Sequence, residues 1–369
     1  MVAINADYFP FTGDPLGAMV KDGELLSSPF PGRATLCWGE GFVKTAYLGF
    51  SASLRFNNGI QSINGVNEEC LNDMVVFNTP TAQYATANEP ATHVVLDFSE
   101  KVTPTGTWKV KVKRVESEKK WIKLEENEAA LTFRGSPAVR LDYLNPKDEV
   151  TITIECTGAD WTKTREVIAG GPILLTGGKK FIPYKEEGFT EAFATKRHPR
   201  TAVGKTAAGD VWIVAVDGRQ TVSAGMTLDE LADTMKGLGC VEAINMDGGG
   251  STTLNIRSLT LNRPSGGAER LIANTLLVYN LFDAPVMGAV EVPPVIAGPS
   301  EMLIGETAQF RIVDSTGAIV SSNEILWSAT GAGWIDQAGV LHGDSEGECR
   351  ILVRVRGFSA ELPVKVKKV

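Results

Sequence analysis

The 369-residue chain carries 36 Lys and Arg against 44 Asp and Glu, a net charge of -8 with a pI near 5.2. That balance excludes a nucleic-acid partner, because a phosphate backbone needs a basic surface and no basic patch with interleaved aromatics occurs. The length exceeds what one core usually supports and predicts about two domains.

No apolar run reaches the roughly 18 residues of a membrane span, so the chain is not expected to be membrane-spanning. Met1 leads straight into the strand-like Val2-Ala3-Ile4 with no n-region or h-region, and the expectation is a chain cut just before a core strand, its targeting segment lost. The five cysteines, Cys37, Cys70, Cys156, Cys240 and Cys349, are widely spaced without a C-x-x-C, which predicts buried thiols.

In chain order, Ile4-Asn5-Ala6-Asp7-Tyr8-Phe9 places Asn and Asp two apart at the end of an apolar run. Residues 34–160 alternate short apolar runs with turn signals, and strands are expected at Val75 to Phe77, His93 to Phe98, Lys109 to Val115 and Val150 to Ile154. The Lys-Val-Lys-Val-Lys run from 109 to 113 reads as a solvated strand face, and His93 as a structural histidine.

Ala169-Gly170-Gly171-Pro172 forms a glycine turn before another apolar run. Arg197-His198-Pro199-Arg200-Thr201 then sets two arginines three apart around a proline, which reads equally as a fork suited to an anionic oxygen cluster or as arginines in surface salt bridges. Val211 to Val216 reads as a buried strand delivering Asp217-Gly218-Arg219 at its end, with an Asp-Gly turn as the competing account of Asp217. Thr227-Leu228-Asp229-Glu230 has the form of a capping box, with Leu228, Leu231, Met235 and Leu238 at helical spacing, so a helix is expected over Thr227 to Leu238.

Asn245-Met246-Asp247-Gly248-Gly249-Gly250-Ser251-Thr252-Thr253 follows the apolar run Val241 to Ile244. Alternation on a strand sends Asn245 and Asp247 to one face and Ile244 and Met246 to the other. Gly248, Gly249 and Gly250 allow positive φ and close approach of a ligand, and the run reads either as an anion-binding nest of N–H groups or as a tight turn capped by Asp247. The N-x-D pair repeats that of Asn5 and Asp7, which points to a shared polar centre.

After a proline-rich linker, residues 295–369 show short strands at regular spacing, among them Ala308 to Val313, Ile325 to Trp327, Arg350 to Val355 and Leu362 to Val366. That is the pattern of a small β-sandwich.

These motifs resemble those of the phosphodiester glycosidase family in content and order: Ile4 to Phe9, Ala169 to Pro172, Arg197 to Gly204, Val216 to Arg219 with Gly225 to Leu228, and Asn245 to Thr253. The tail is similar to bacterial immunoglobulin-like domains. The expected fold is therefore α+β, a mixed β-sheet catalytic domain with few helices over residues 1–283. A linker at 284–294 and an all-β immunoglobulin-like sandwich at 295–369 complete the expectation.

The resemblance implies hydrolysis of a sugar 1-phosphodiester, N-acetylglucosamine-like, at its glycosidic bond. It places Asp247 at the anomeric carbon or on water with Asp217 as second acid. Arg200, with Arg197 or Arg219, would hold the phosphate, and Asn5, Asn245, Ser251 and Thr252 would orient the substrate beside Thr201 and the three glycines. Ala6 and Asp7 replace glycines of the family pattern, making Asp7 a candidate ligand for Mg²⁺ or Ca²⁺. The implied partner is a sugar phosphodiester or a cell-wall or exopolysaccharide glycan, met outside the cytoplasm by a secreted or surface-displayed protein. A metal-dependent phosphodiesterase cleaving P–O, with Asp7, Asp217 and Asp247 as ligands, and a non-catalytic glycan-binding module are the alternatives.

Overall fold

The structure is a computed structural model that describes residues 1–10, 13–56, 59–137, 144–279, 295–320, 325–355 and 358–368. The expected linker lies outside these residues. Strand makes up 52% and helix 6%, so packing of sheets, with one helix of consequence, shapes the molecule.

That helix spans Leu228–Gly237 and starts as the capping box requires. The Thr227 hydroxyl accepts the Glu230 N–H at 3.1 Å and the Glu230 carboxylate accepts the Thr227 N–H at 3.0 Å. Leu228, Leu231, Ala232 and Met235 form its buried face and pack with Leu174, Ala202 and Ala243. Each such aliphatic side chain removed from water contributes on the order of 2 kcal/mol. A short helix, Glu191–Thr195, capped by the Thr190 hydroxyl, was not expected.

The helix covers a five-stranded antiparallel sheet in the order Lys179–Lys180, Ile173–Thr176, Cys240–Asn245, Arg200–Thr206, Val211–Val216. Val211–Val216 is an edge strand, not the buried one expected. Its first two residues, Val211 and Trp212, are exposed, because pairing along a single edge leaves its other side to solvent.

Beside this sheet a second, four-stranded one runs Leu259–Thr260, Leu254–Ile256, Val2–Asn5, Thr275–Val278. Ile4, Ile168, Ile173, Val203, Ile244, Met246 and Leu276 join the two through one apolar cluster. An eight-stranded sheet built largely from residues 49–157 and a five-stranded sheet including Ala34–Gly39 and Glu166–Ala169 complete this part. In the former, Lys109, Lys111 and Lys113 face solvent between buried Val110 and Val112. His93 is fully buried, bonded to the Thr132 hydroxyl at 2.9 Å and the Lys119 carbonyl at 3.0 Å. All five cysteines are buried and unpaired.

Residues 295–368 build sheets that pair only among themselves and enclose their own core, including Phe310, Trp327, Ile351 and Val364. The single strand expected over Ala308 to Val313 is two, Thr307–Gln309 and Arg311–Val313, which pair in different sheets on either side of buried Phe310. This unit meets the rest through the Ser328 hydroxyl, which donates to the Thr260 carbonyl at 2.5 Å, and an ion pair of Arg263 with Asp344. No described helix is long and apolar enough to cross a membrane.

Candidate active site

Antiparallel order brings three strand termini to one edge of the five-stranded sheet. Asn245 ends its strand, Arg200 begins the next, and Arg200 pairs with Val216, after which Asp217, Gly218 and Arg219 follow. Val2–Asn5 from the neighbouring sheet ends at the same place. The Asn5 amide donates to the Asp247 carbonyl at 2.6 Å, its carbonyl oxygen accepts from the Thr201 hydroxyl at 2.8 Å and the Thr253 N–H at 3.1 Å, and the Asp247 N–H reaches the Ala6 carbonyl at 2.8 Å.

Asn245, wholly buried, donates to the Tyr8 hydroxyl at 2.8 Å and the Gly171 carbonyl at 2.9 Å. Asn5, Thr201 and Asn245 are therefore the frame that fixes the two N-x-D segments together. Ser251 and Thr252, each 1% exposed, lie beneath the glycine turn.

What this frame presents is a cleft of about 350 Å³ lined by Tyr8, Leu16, Arg33, Phe189, Phe193, His198, Pro199, Arg200, Arg219, Asp247, Gly248 and Gly249. A larger cavity, about 660 Å³, lies in the C-terminal unit around Phe310, Trp327 and Gln337. It gathers no carboxylate, so the chemistry is sought in the former.

Burial raises the Asp247 carboxyl above the ordinary carboxylate range, opposed by the Ser251 hydroxyl, the Gly248 N–H at 2.8 Å and the positive charge of Arg270. Of the three glycines only Gly249 has positive φ, 61°. The nest is not formed: the Gly248 N–H is taken by Asp247 itself and the Gly249 N–H by the Pro199 carbonyl at 2.9 Å. Gly248 is required by close approach, since a Cβ there would lie 2.7 Å from the Pro199 carbonyl oxygen.

The arginines divide. Arg197 is half exposed and ion-paired with Glu230, and it does not line the cleft. Arg200 is fully buried: Nε donates to the Met226 carbonyl at 2.9 Å, Nη2 to that of Phe193 at 2.6 Å, and Nη1 is left without a partner. Arg219 lines the cleft and its Nη2 lies 3.1 Å from His198 Nδ1. A guanidinium only donates, so His198 Nδ1 accepts. Burial and the charges of Arg200 and Arg219 lower the His198 pKa, which leaves a neutral imidazole with its proton on Nε2.

Asp217 does not face this cleft. Its carboxylate accepts from the Arg263 N–H at 2.9 Å and the Asn262 amide at 3.0 Å, which turns it to the loop the C-terminal unit contacts. Asp7, 2% exposed, accepts the Tyr8 N–H at 2.8 Å and the Gly17 N–H at 2.7 Å. Burial pushes it up to about 7. Among the described residues no three His, Cys, Asp or Glu side chains gather to hold a metal ion, and Asp7 and Asp217 spend their oxygens on backbone N–H groups.

Arg33, Phe189, Phe193 and Tyr8 were not singled out from sequence as site residues. Phe189 precedes the short helix Glu191–Thr195 and Phe193 lies in it, Arg33 follows an ordinary Pro31-Gly32 turn, and Tyr8 sits inside the Ile4 to Phe9 motif. The aromatic Tyr8 beside Asp7 was the one available signal.

Fold and cleft together define a β-rich protein with a half-buried carboxylate set among guanidinium groups, an arrangement suited to an anionic ligand. Residues 115–279 match the family model described as phosphodiester glycosidase. The match contains Arg200, Arg219 and Asp247 but not Ile4 to Phe9, which the fold brings to them.

The chain is similar to the SPbeta prophage-derived uncharacterized protein YomE of Bacillus subtilis (strain 168), 35% identical over 82 residues, 22% of this chain and 13% of that protein. It is also 36% identical over 81 residues, 22% of this chain and 16% of the other, to N-acetylglucosamine-1-phosphodiester alpha-N-acetylglucosaminidase of Mus musculus. The chain thus matches less than a fifth of the length of these curated relatives. A crystal structure of a hypothetical protein from Synechocystis shares the fold, with TM-score 0.59 and 22% identity over 72% of this chain and 49% of that one.

Proposed function

We propose that the chain is a hydrolase that cleaves the glycosidic C–O bond of a sugar 1-phosphodiester, of the N-acetylglucosamine class, to free sugar and a phosphomonoester. The observation that carries this reading is the half-buried Asp247 carboxylate in one cleft with Arg219 and with the Nη1 of Arg200, which has no partner among the described residues.

Asp247 acts at the anomeric carbon or on the attacking water, and the arginines hold the phosphate. The C1–O bond breaks, its electron pair stays on the phosphate oxygen, and the water oxygen joins C1. A phosphate monoester leaves readily, so no strong general acid is required, and His198 Nε2–H suffices as a donor to the departing oxygen. Asp217 is a positioning residue: it anchors the turn that presents Arg219 by binding the Arg263 N–H. Residues 1–283 form the catalytic unit, and the immunoglobulin-like 295–369 displays it outside the cytoplasm.

The test is hydrolysis of an N-acetylglucosamine 1-phosphodiester in oxygen-18 water, wild type beside Asp247→Asn. Unlabelled phosphomonoester, lost in the variant, supports C–O cleavage. Label in the phosphate, or sugar 1-phosphate as product, overturns it in favour of P–O cleavage.

A further inference from the structure

Arg33 has no part in the reading above. It is 9% exposed, borders the cleft, and its guanidinium contacts are to rings: 4.3 Å from the Phe189 centroid, 5.1 Å from Tyr8 and 5.6 Å from Phe30. Among the described residues its Nε is buried without an acceptor. The two carboxylates that feel its charge, Glu187 and Asp7, are occupied elsewhere. Glu187 accepts the Ile173 and Ala34 N–H groups and the Tyr47 hydroxyl, and Asp7 accepts those of Tyr8 and Gly17. A guanidinium carries five N–H donors, and burying it against ring faces alone is costly unless a ligand completes it.

Arg33 is also held away from the cation on the other wall. It lies on Phe189, Phe189 stacks on Phe193 at 4.8 Å, and Phe193 lies 4.7 Å from the Arg200 guanidinium. Two stacked rings stand between the guanidiniums, yet both border one cleft. A phosphate group meets a guanidinium fork bidentately, so a phosphate engaged by Arg200 and Arg219 leaves the fork of Arg33, beyond the two stacked rings, for a separate anion.

We infer that Arg33 binds a second anionic group of the substrate, a carboxylate or a second phosphate, so that the cleft takes sugar 1-phosphodiesters charged at two points. The inference rests on the sugar 1-phosphodiester reading for the first anion, and the second follows from Arg33 alone. Phe189 and Tyr8 hold the fork in place before the ligand arrives, which reduces the ordering cost of binding.

The experiment is calorimetric titration of the full chain with glucose 1-phosphate, glucuronic acid 1-phosphate and glucose 1,6-bisphosphate, on wild type, Arg33→Met and Arg33→Lys. Wild type is expected to bind at least one doubly charged ligand about 10-fold more tightly than glucose 1-phosphate. Arg33→Met should erase that preference while leaving glucose 1-phosphate affinity within about 3-fold, and Arg33→Lys should retain part of it. Which ligand gains tells carboxylate from phosphate. Equal affinities in wild type, no binding of any ligand, or a uniform loss of all three in Arg33→Met overturns the inference. Failure of the hydrolytic reading shows separately, as an intact ranking without turnover of a 1-phosphodiester.

Discussion

The side-chain amide of Asn5 and the main-chain carbonyl of Asp247 meet at 2.6 Å across 242 residues of sequence, and this bond joins the two N-x-D segments at the cleft. The same Asn5 accepts from Thr201 and Thr253. Its truncation strands one acceptor and two donors in the interior.

Asn5→Ala is therefore expected to destabilise the protein by about 2–4 kcal/mol, since each buried group left unpaired costs roughly 1–3 kcal/mol. Denaturant unfolding measures the loss. Asn5→Asp should recover part of it by keeping the acceptor for Thr201, and an equally unstable Asp variant would show that the acceptor is not what matters.

Asp247→Asn is expected to lower turnover at least about 1,000-fold with little change in melting temperature, as removal of a group acting in the transition state does. Because burial holds the Asp247 carboxyl above its ordinary range, activity should fall on the acid side at a pH above that of a free carboxylate. Asp217→Asn, away from the cleft, should weaken substrate binding through Arg219 more than turnover. A kcat and KM comparison of the two variants separates the roles, and equal kcat losses would put both acids at the chemistry.

Arg219→Met should reduce kcat/KM by about 100-fold, the scale of a charge-assisted contact to a developing anion. Arg197→Met should stay within about 3-fold and shift stability by no more than about 0.5 kcal/mol, because its pair with Glu230 is an exposed one. The reverse ranking would move the phosphate to the outer face of the helix.

Asp7 links stability to pH. Burial and the charge of Asp247 raise its pKa from 3.8 to about 7, so the folded state favours the protonated form. That contribution is full below pH 3.8 and is lost as pH rises through about 7. Thermal unfolding of wild type is expected to weaken from pH 5 to pH 8, whereas Asp7→Asn, though less stable for losing an acceptor, should be flat across that window. Parallel profiles would show that another group titrates.

Much of this was legible in the chain. The capping box at Thr227 and Glu230 predicts the one long helix because its bonds close within a single turn, and alternation along Lys109 to Lys113 predicts an outward lysine face for the same local reason. The N-x-D-G-G-G run marks Asp247 because no core strand carries that density of polar groups. Sheet order, in contrast, is written in no local pattern. Antiparallel pairing of Arg200–Thr206 with both its neighbours carries Arg219 into the cleft and leaves Arg197 on Glu230 outside it. The fold likewise commits Asp217 to the Arg263 N–H, and it seats Arg33, from a turn more than 150 residues away, on Phe189. Residue type and spacing thus determined which groups the protein has for chemistry, because side-chain direction repeats with the local backbone. Which of them share a cleft was decided by long-range strand pairing and desolvation, which depend on contacts hundreds of residues apart.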